Sequence, residues 1–236
     1  MSMERGHPVR QRTRRPRSIH EHKGWHSRDY LPHFDCPEHL QFITFRLFDS
    51  VPASVIANWK SELKITPNLS QDHLRVLELY HRLAIYEDAG YGSCFLRHPP
   101  IAEVVQNALL FFDARRYRLQ AWSVMPNHVH VLIATMAGHP VSELLHSWKS
   151  FTAKKCNQLL RRHGAFWMED YFDRFIRTAQ HLAYARDYIH HNPVKAGLCQ
   201  TPAQWRWSSA HGTRTSRPPA DRMSALHTPA PIVTSS

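Results

Sequence analysis

The sequence contains little cysteine and little glycine. Its four cysteines, Cys36, Cys94, Cys156 and Cys199, are far apart and form no Cys-x-x-Cys pair. This spacing argues against a zinc ribbon or a disulfide framework, and it favours a reducing compartment. None of the eight glycines belongs to a Gly-x-x-x-x-Gly-Lys-[Ser/Thr] motif. The chain therefore has no phosphate-binding loop of the kind that ATPases and GTPases use.

Long apolar runs and acidic residues are also scarce. No stretch approaches the roughly 18 to 20 apolar residues of a membrane-spanning helix, and no signal-peptide core follows the N-terminus. We therefore expect a soluble, cytoplasmic protein. Hydrophobic residues still make up 42% of the 236 residues, enough for a substantial core. Only 19 acidic residues face 30 lysines and arginines, and the net charge of +11 predicts a polyanionic partner such as nucleic acid.

The two ends of the chain differ in composition from its middle. Residues 1–28 form a basic segment in which five arginines crowd together, namely Arg10, Arg12, Arg14, Arg15 and Arg17. We expect a flexible arm there, which either neutralises phosphates or is simply a solvated tail. Residues 211–236 are rich in Pro, Ser, Thr and Ala, and we expect them to be disordered. One folded domain is predicted over residues 29–210.

The middle of the chain alternates strand and helix patterns. Strands are predicted at 40–47, 116–124 and 128–133, and helices at 52–64, 71–88, 101–113, 141–162 and 180–191. Residues 165–167 and 172–177 predict short strands or ordered loops. The last helix is expected to stop before Pro193. The segment 125–127 (Met-Pro-Asn) predicts a hairpin turn between two of the strands. This order indicates an α+β domain with a central antiparallel sheet and helices on one face.

Two histidines share one face of a predicted strand. Alternate side chains of a strand point to opposite faces, so His128 and His130 lie together while Val129, Val131 and Ile133 pack the other way. Burying two imidazoles is unfavourable unless something binds them. Because neutral imidazole is the commonest metal ligand, the pair predicts a divalent metal site. Two packed or surface histidines are the alternative.

A second motif lies on the last predicted helix. Tyr188 and Asn192 are four residues apart and share a helix face. If that face covers the histidine strand, Asn192 completes the metal site and Tyr188 points at the same ion. His191 is an alternative third ligand because it lies near the same face. His190 would face away.

Together with their surroundings, these motifs resemble those of the REP-associated tyrosine transposases. These enzymes are one-tyrosine HUH transposases that act on single-stranded DNA. The matching segments are 125–133 (MPNHVHVLI), 147–153 (SWKSFTA), 166–177 (FWMEDYFDRFIR), 188–198 (YIHHNPVKAGL) and 205–209 (WRWSS). Their order and spacing extend the resemblance from about residue 24 to residue 209, which is most of the chain.

The resemblance implies a ferredoxin-like or RRM-like sheet and a specific chemistry. His128, His130 and Asn192 would bind Mg²⁺ or Mn²⁺, and Tyr188 would be the nucleophile. The implied reaction is cleavage of single-stranded DNA beside repetitive palindromic hairpins through a 5′-phosphotyrosine intermediate, which is a step of DNA transposition. The protein would be a monomer or homodimer associated with a bacterial-type nucleoid.

Other nucleophiles and other functions stay open at this point. Tyr184 lies one turn before Tyr188, and Tyr171 lies in the aromatic block, but only Tyr188 is followed four residues later by an amide. A catalytically silent protein that binds hairpin DNA is one alternative. A zinc hydrolase that uses the two histidines and water is another, although it would need a third ligand at a recognisable spacing.

The residues that contact DNA are harder to predict. Basic and aromatic side chains in several segments are candidates: Arg12, Arg14, Arg15, Tyr30, His33, Arg116, Arg118, Lys149, Lys154 and Lys155. A solvated basic face explains each of the cations nearly as well.

Overall fold

A computed structural model describes residues 24–28, 31–35, 39–65 and 73–211. Its strands are β1 (Gly24–Arg28), β2 (Leu31–Asp35), β3 (Leu40–Arg46), β4 (Tyr117–Val124), β5 (His128–Thr135) and β6 (Phe172–Phe175). Its α-helices are α1 (Ala53–Glu62), α2 (His73–Asp88), α3 (Pro99–Phe111), α4 (Val141–Leu159) and α5 (Ala179–Lys195).

Strands β3 to β6 form one sheet in the spatial order β4-β5-β3-β6. Every neighbouring pair is antiparallel. Helices connect β3 to β4 and β5 to β6, so the chain order is strand, helices, two strands, helix, strand. This is the topology of a ferredoxin-like sheet, and the predicted α+β fold is confirmed.

A separate hairpin precedes the sheet. β1 pairs antiparallel with β2, with Gly24 opposite Asp35 and Arg28 opposite Leu31. The last five residues of the predicted basic arm therefore belong to a strand. The rest of that arm and the predicted C-terminal tail lie outside the described residues, apart from His211.

Hydrophobic side chains pack against both faces of the sheet. On one face, Val129, Val131 and Ile133 join the buried residues of α3 and α4, including Leu109 and Trp148. On the other face, β-strand residues pack against α5; this cluster contains Phe42, Ala121, Leu132, Ala185 and Ile189. The expectation of helices on one face is therefore wrong. Each central strand carries apolar side chains on both of its faces, so both faces of the sheet are covered by helices. Helix α5 lies over the face that carries the two histidines.

The last helix also continues further than the sequence predicted. α5 runs through the buried Pro193 to Lys195 instead of stopping at His191. Proline removes one helical hydrogen bond, but only the last turn of α5 remains after Pro193. The Ala196 amide N–H still donates to the Asn192 carbonyl, at 2.9 Å between nitrogen and oxygen.

Within the described residues, no helix is both long enough and apolar enough to cross a membrane.

Candidate active site

The register of the sheet places the two histidines beside polar residues of β3. Thr44 lies opposite His130 and Arg46 lies opposite His128. Thr44 Oγ1 is 2.7 Å from His130 Nδ1. Both histidines are almost fully buried, with exposures of 1% and 2%. Their Nε2 atoms are only 3.0 Å apart, so the two imidazoles point at the same place.

Asn127 fixes the proton on His128. The Asn127 amide Nδ2 donates to the backbone carbonyls of Glu87 and Tyr91, at 3.1 and 2.9 Å. Its Oδ1 therefore faces His128 Nδ1, at 2.7 Å, and accepts a hydrogen bond from it. The Nε2 lone pair of His128 is left free to bind a cation. Carbonyl or amide partners behind a histidine have this role in metal sites generally.

Burial keeps both imidazoles neutral. Desolvation lowers the pKa of His128 to about 4, which the nearby Asp88 carboxylate opposes. Desolvation also lowers the pKa of His130 well below its usual value, and the neighbouring His128 and Lys195 lower it further. Neutral imidazole is the form that binds metal ions.

These depressed pKa values predict an acid-sensitive fold. The pKa of His128 falls from 6.5 to about 4 on folding, so the unfolded chain binds more protons and stability is lost as the pH falls through this window. The metal-free protein should lose about 2–3 kcal/mol between pH 6.5 and 4.5 from His128 alone. Urea unfolding of wild-type protein and a His128→Gln, His130→Gln variant at both pH values measures this loss. An equal pH dependence of the two proteins would contradict it.

Helix α5 brings Asn192 and Tyr188 to the histidines. Asn192 is 1% exposed, and its Nδ2 atom lies 2.9 Å from His130 Nε2. The centroid of the Tyr188 ring is 5.2 Å from that of His130 and 5.7 Å from that of Phe42. The expected face-to-strand arrangement of α5 is therefore present. Tyr188 also lines a cavity with Thr44, His130 and other residues of the site.

The Tyr188 hydroxyl is protonated at neutral pH. Burial raises the pKa of Tyr188 well above 10, and the carboxylates of Asp88 and Glu87 raise it further. A hydrogen bond with the Asn192 side chain acts in the opposite direction. Ionisation of this phenol consequently requires additional positive charge near its oxygen.

The structure adds a residue that sequence reasoning missed. Asp88, the last residue of α2, has a side chain that is 9% exposed, and its Oδ1 atom lies 3.8 Å from His128 Nε2. Ligand atoms of Asp88, His128 and His130 all lie within 4.8 Å of one another. Nothing near Asp88 in the sequence marks it as a ligand. Its position depends on how α2 packs, which Asn127 secures through the Glu87 carbonyl.

Two orphaned oxygen atoms test whether this site fits a metal ion. Asp88 Oδ1 and Asn192 Oδ1 are buried and have no hydrogen-bond partner. Leaving a buried polar atom unpaired is unfavourable by about 1–3 kcal/mol. Together with the Nε2 atoms of His128 and His130 they make a set of two nitrogen and two oxygen donors. Such a set fits a divalent ion, and the oxygens suit Mg²⁺ or Mn²⁺.

Arg46 and Glu87 form a buried ion pair beside the site. Arg46 Nη1 lies 3.2 Å from Glu87 Oε1, and both side chains are less than a tenth exposed. Burial raises the pKa of Glu87 to about 7, against the attraction of Arg46. Both residues line the same cavity as Tyr188. The ion pair therefore forms part of the wall of this cavity, next to Tyr188.

The alternative nucleophiles and ligands lie elsewhere. Tyr171 is buried in the core on the opposite face of the sheet. The Tyr184 hydroxyl contacts Gln180 Nε2, at 2.6 Å. His191 Nδ1 bonds to the carbonyl of Asp187, one turn back on α5. His190 Nε2 lies 3.0 Å from Ser209 Oγ, as expected for a residue that faces away from the histidines.

The predicted DNA-contacting residues divide into three groups. Arg12, Arg14, Arg15 and Tyr30 lie outside the described residues, and only the backbone of His33 is described, in β2. Arg118, Lys154 and Lys155 are exposed and stay predictions. The Arg116 guanidinium lies 3.5 Å from the centre of the Phe112 ring.

Lys149 has a structural role that the sequence did not reveal. Its ammonium donates to the backbone carbonyls of Met168, Glu169 and Asp170, at 2.9, 2.9 and 3.3 Å. These bonds hold the segment that leads into β6. These three hydrogen bonds explain the position of the Lys149 side chain without a contact to a DNA phosphate.

Comparisons with known proteins find similarity over the residues of the site. Residues 101–192, which include both histidines, Tyr188 and Asn192, match the family model described as transposase IS200 like. A REP-associated tyrosine transposase of Escherichia coli K12 is 24% identical over 97 residues, which are 41% of this chain and 56% of the relative. The chain is similar to the REP-associated tyrosine transposases. The resemblance inferred from the sequence is thereby confirmed.

Two further proteins are similar to this chain. A Haemophilus influenzae Rd protein, provisionally named a REP-associated tyrosine transposase, is 26% identical over 98 residues, 37% of this chain and 56% of its own length. The chain thus spans little more than half of each curated relative. A solved REP-associated tyrosine transposase bound to a REP hairpin overlaps 76% of this chain and 81% of its own, with 17% identity and a TM-score of 0.49.

Proposed function

We propose that this protein cleaves and rejoins single-stranded DNA beside palindromic hairpins, with Tyr188 as the nucleophile. The observation that carries the proposal is the convergence of Tyr188 and Asn192 on the histidine pair. Asn192 Nδ2 lies 2.9 Å from His130 Nε2, and the Tyr188 ring packs against the same imidazole. A nucleophile and a set of cation ligands in one buried cluster are what phosphoryl transfer to a tyrosine requires.

The proposed step balances without water or ATP. The Tyr188 hydroxyl loses its proton, and its oxygen forms a bond to the phosphorus of one phosphodiester. The bond from phosphorus to the 3′ oxygen breaks, and that oxygen takes up a proton. The products are a 5′-phosphotyrosine and a strand that ends in a 3′-hydroxyl. Because the phosphodiester is kept in the protein-DNA bond, the 3′-hydroxyl of another strand can reverse the step.

The chain's own residues supply most of what this step needs. Asn192 orients the Tyr188 hydroxyl through their hydrogen bond. The Asn127 and Thr44 side chains hold the two imidazoles with their Nε2 atoms together. A Mg²⁺ or Mn²⁺ ion bound by His128, His130, Asn192 and Asp88 would neutralise the phosphate and favour ionised Tyr188.

Cleavage of end-labelled hairpin DNA tests this proposal. We expect a single strand labelled at its 3′ end to give a denaturant-resistant, protein-linked band in the presence of Mn²⁺. The same strand labelled at its 5′ end should give a shorter free fragment that a polymerase can extend. Two free fragments would indicate a hydrolase instead. Specific binding without any cleavage in Mn²⁺ or Mg²⁺ would indicate a catalytically silent hairpin-binding protein.

A further inference from the structure

Lys195 lies at the end of α5, next to the carboxylate that completes the donor set. Its Nζ atom is 2.5 Å from Asp88 Oδ2. The lysine follows Tyr188 by two helical turns and Asn192 by one, so all three lie along one side of the helix. Lys195 and Asp88 both lie outside residues 101–192, the segment that matches the family model.

The two oxygens of the Asp88 carboxylate have different surroundings. Oδ2 is bound by Lys195, whereas Oδ1 is buried, has no hydrogen-bond partner and lies 3.8 Å from His128 Nε2. A divalent ion held by His128, His130 and Asp88 would share this carboxylate with the Lys195 ammonium. Like charges at this separation repel. The charge of Lys195 already reaches the imidazoles, since it lowers the pKa of both His128 and His130.

Lys195 is also far more accessible to solvent than Asp88. The Lys195 side chain is 40% exposed, against 9% for Asp88. A lysine ammonium on a flexible stem can therefore leave the carboxylate and reach a ligand at the mouth of the site. The ligand class expected there is a DNA phosphate, because the Tyr188 side chain and the metal ligands lie on the same side of α5.

We propose that Lys195 alternates between Asp88 and the DNA phosphate, and that binding of the divalent ion shifts it to the phosphate. Without the ion, Lys195 neutralises Asp88 and holds it beside His128. With the ion bound, the carboxylate is shared with a stronger cation and the ammonium turns to the strand. In this scheme Lys195 binds the substrate strand when the ion is present. Its contact with the phosphate rests on the proposed function, whereas its competition with the ion does not.

Titration of the intact protein with Mn²⁺, followed by electron paramagnetic resonance, tests the first half. Lys195→Met removes the competing charge and should bind Mn²⁺ roughly 10-fold more tightly than the wild type. Lys195→Arg keeps the charge and should bind as the wild type does. In an Asp88→Asn background the effect of Lys195→Met should be smaller, because the shared carboxylate is gone. Equal or weaker Mn²⁺ binding by Lys195→Met would overturn the competition.

Binding of a single-stranded hairpin tests the second half. In a Tyr188→Phe background, which cannot react, Lys195→Met should weaken strand binding in Mn²⁺ and reduce the salt-dependence slope by about one phosphate contact. Without Mn²⁺ the same substitution should change little, because Asp88 then holds the lysine. An equal loss with and without Mn²⁺, or no loss, would overturn this half. A protein-DNA adduct that persists in Tyr188→Phe would instead reject the proposed nucleophile and leave the Mn²⁺ titration unaffected.

Discussion

Replacing Tyr188 by phenylalanine should abolish the covalent protein-DNA species, with a loss of at least about 10³-fold. The substitution removes only the hydroxyl oxygen that we propose attacks the phosphorus. The ring keeps its packing against Phe42 and His130, so the fold and the binding of the hairpin should be retained. The yield of denaturant-resistant adduct, measured beside hairpin affinity, checks both expectations.

Tyr184→Phe is the matched control for this substitution. Tyr184 lies on the same helix, but its hydroxyl contacts Gln180 and not the histidines. We expect this variant to form the adduct at a rate close to that of the wild type. An adduct in Tyr188→Phe and none in Tyr184→Phe would reverse the assignment.

Replacing His130 by alanine should weaken Mn²⁺ binding by more than about 100-fold, since even partners behind a ligand change metal affinity by about 10- to 100-fold. His130 is the residue on which the site converges. Its Nε2 atom lies 3.0 Å from His128 Nε2 and 2.9 Å from Asn192 Nδ2. Calorimetric titration with Mn²⁺ measures the affinity, and adduct formation should fall in parallel.

The control for this variant is His190→Ala. His190 lies on α5 and bonds to Ser209, away from the donor set, so Mn²⁺ affinity should stay within a factor of about three of the wild type. Normal adduct formation by His130→Ala without bound Mn²⁺ would contradict a metal-dependent reaction. Thermal unfolding of both variants shows whether either loss reflects a failure to fold.

The parts of the site that lie on single elements could be predicted from the sequence. The alternation of His128, Val129 and His130 fixed which side chains share a face, because the period of a strand is two. The four-residue spacing of Tyr188 and Asn192 did the same for α5. Both faces were assigned correctly, and the structure brings them together.

The contribution of α2 could not be predicted in this way. Asp88 reaches His128 from the end of α2, where Asn127 bonds to the Glu87 and Tyr91 carbonyls, forty and thirty-six residues away in the chain. Contacts over such distances leave no periodic signal. Lys195 was missed for a different reason, since Pro193 predicts the end of a helix but here lies inside its last turn.

Packing also determines which basic side chains are available to contact DNA. Lys149 resembled a phosphate contact in the sequence, yet its ammonium holds three backbone carbonyls before β6. Composition alone cannot distinguish this use of a lysine from DNA binding. Backbone carbonyls and phosphate oxygens both accept hydrogen bonds from the three N–H donors of the ammonium.

Mapping the DNA-linked peptide tests the central proposal most directly. Trypsin cuts after Arg186 and Lys195, so Tyr188 lies in peptide 187–195, whereas Tyr184 lies in 178–186 and Tyr171 in 163–174. After reaction with the hairpin and Mn²⁺, and nuclease digestion of the DNA, mass spectrometry should find the nucleotide adduct on 187–195, at Tyr188. An adduct on either of the other two peptides would contradict the proposed active site.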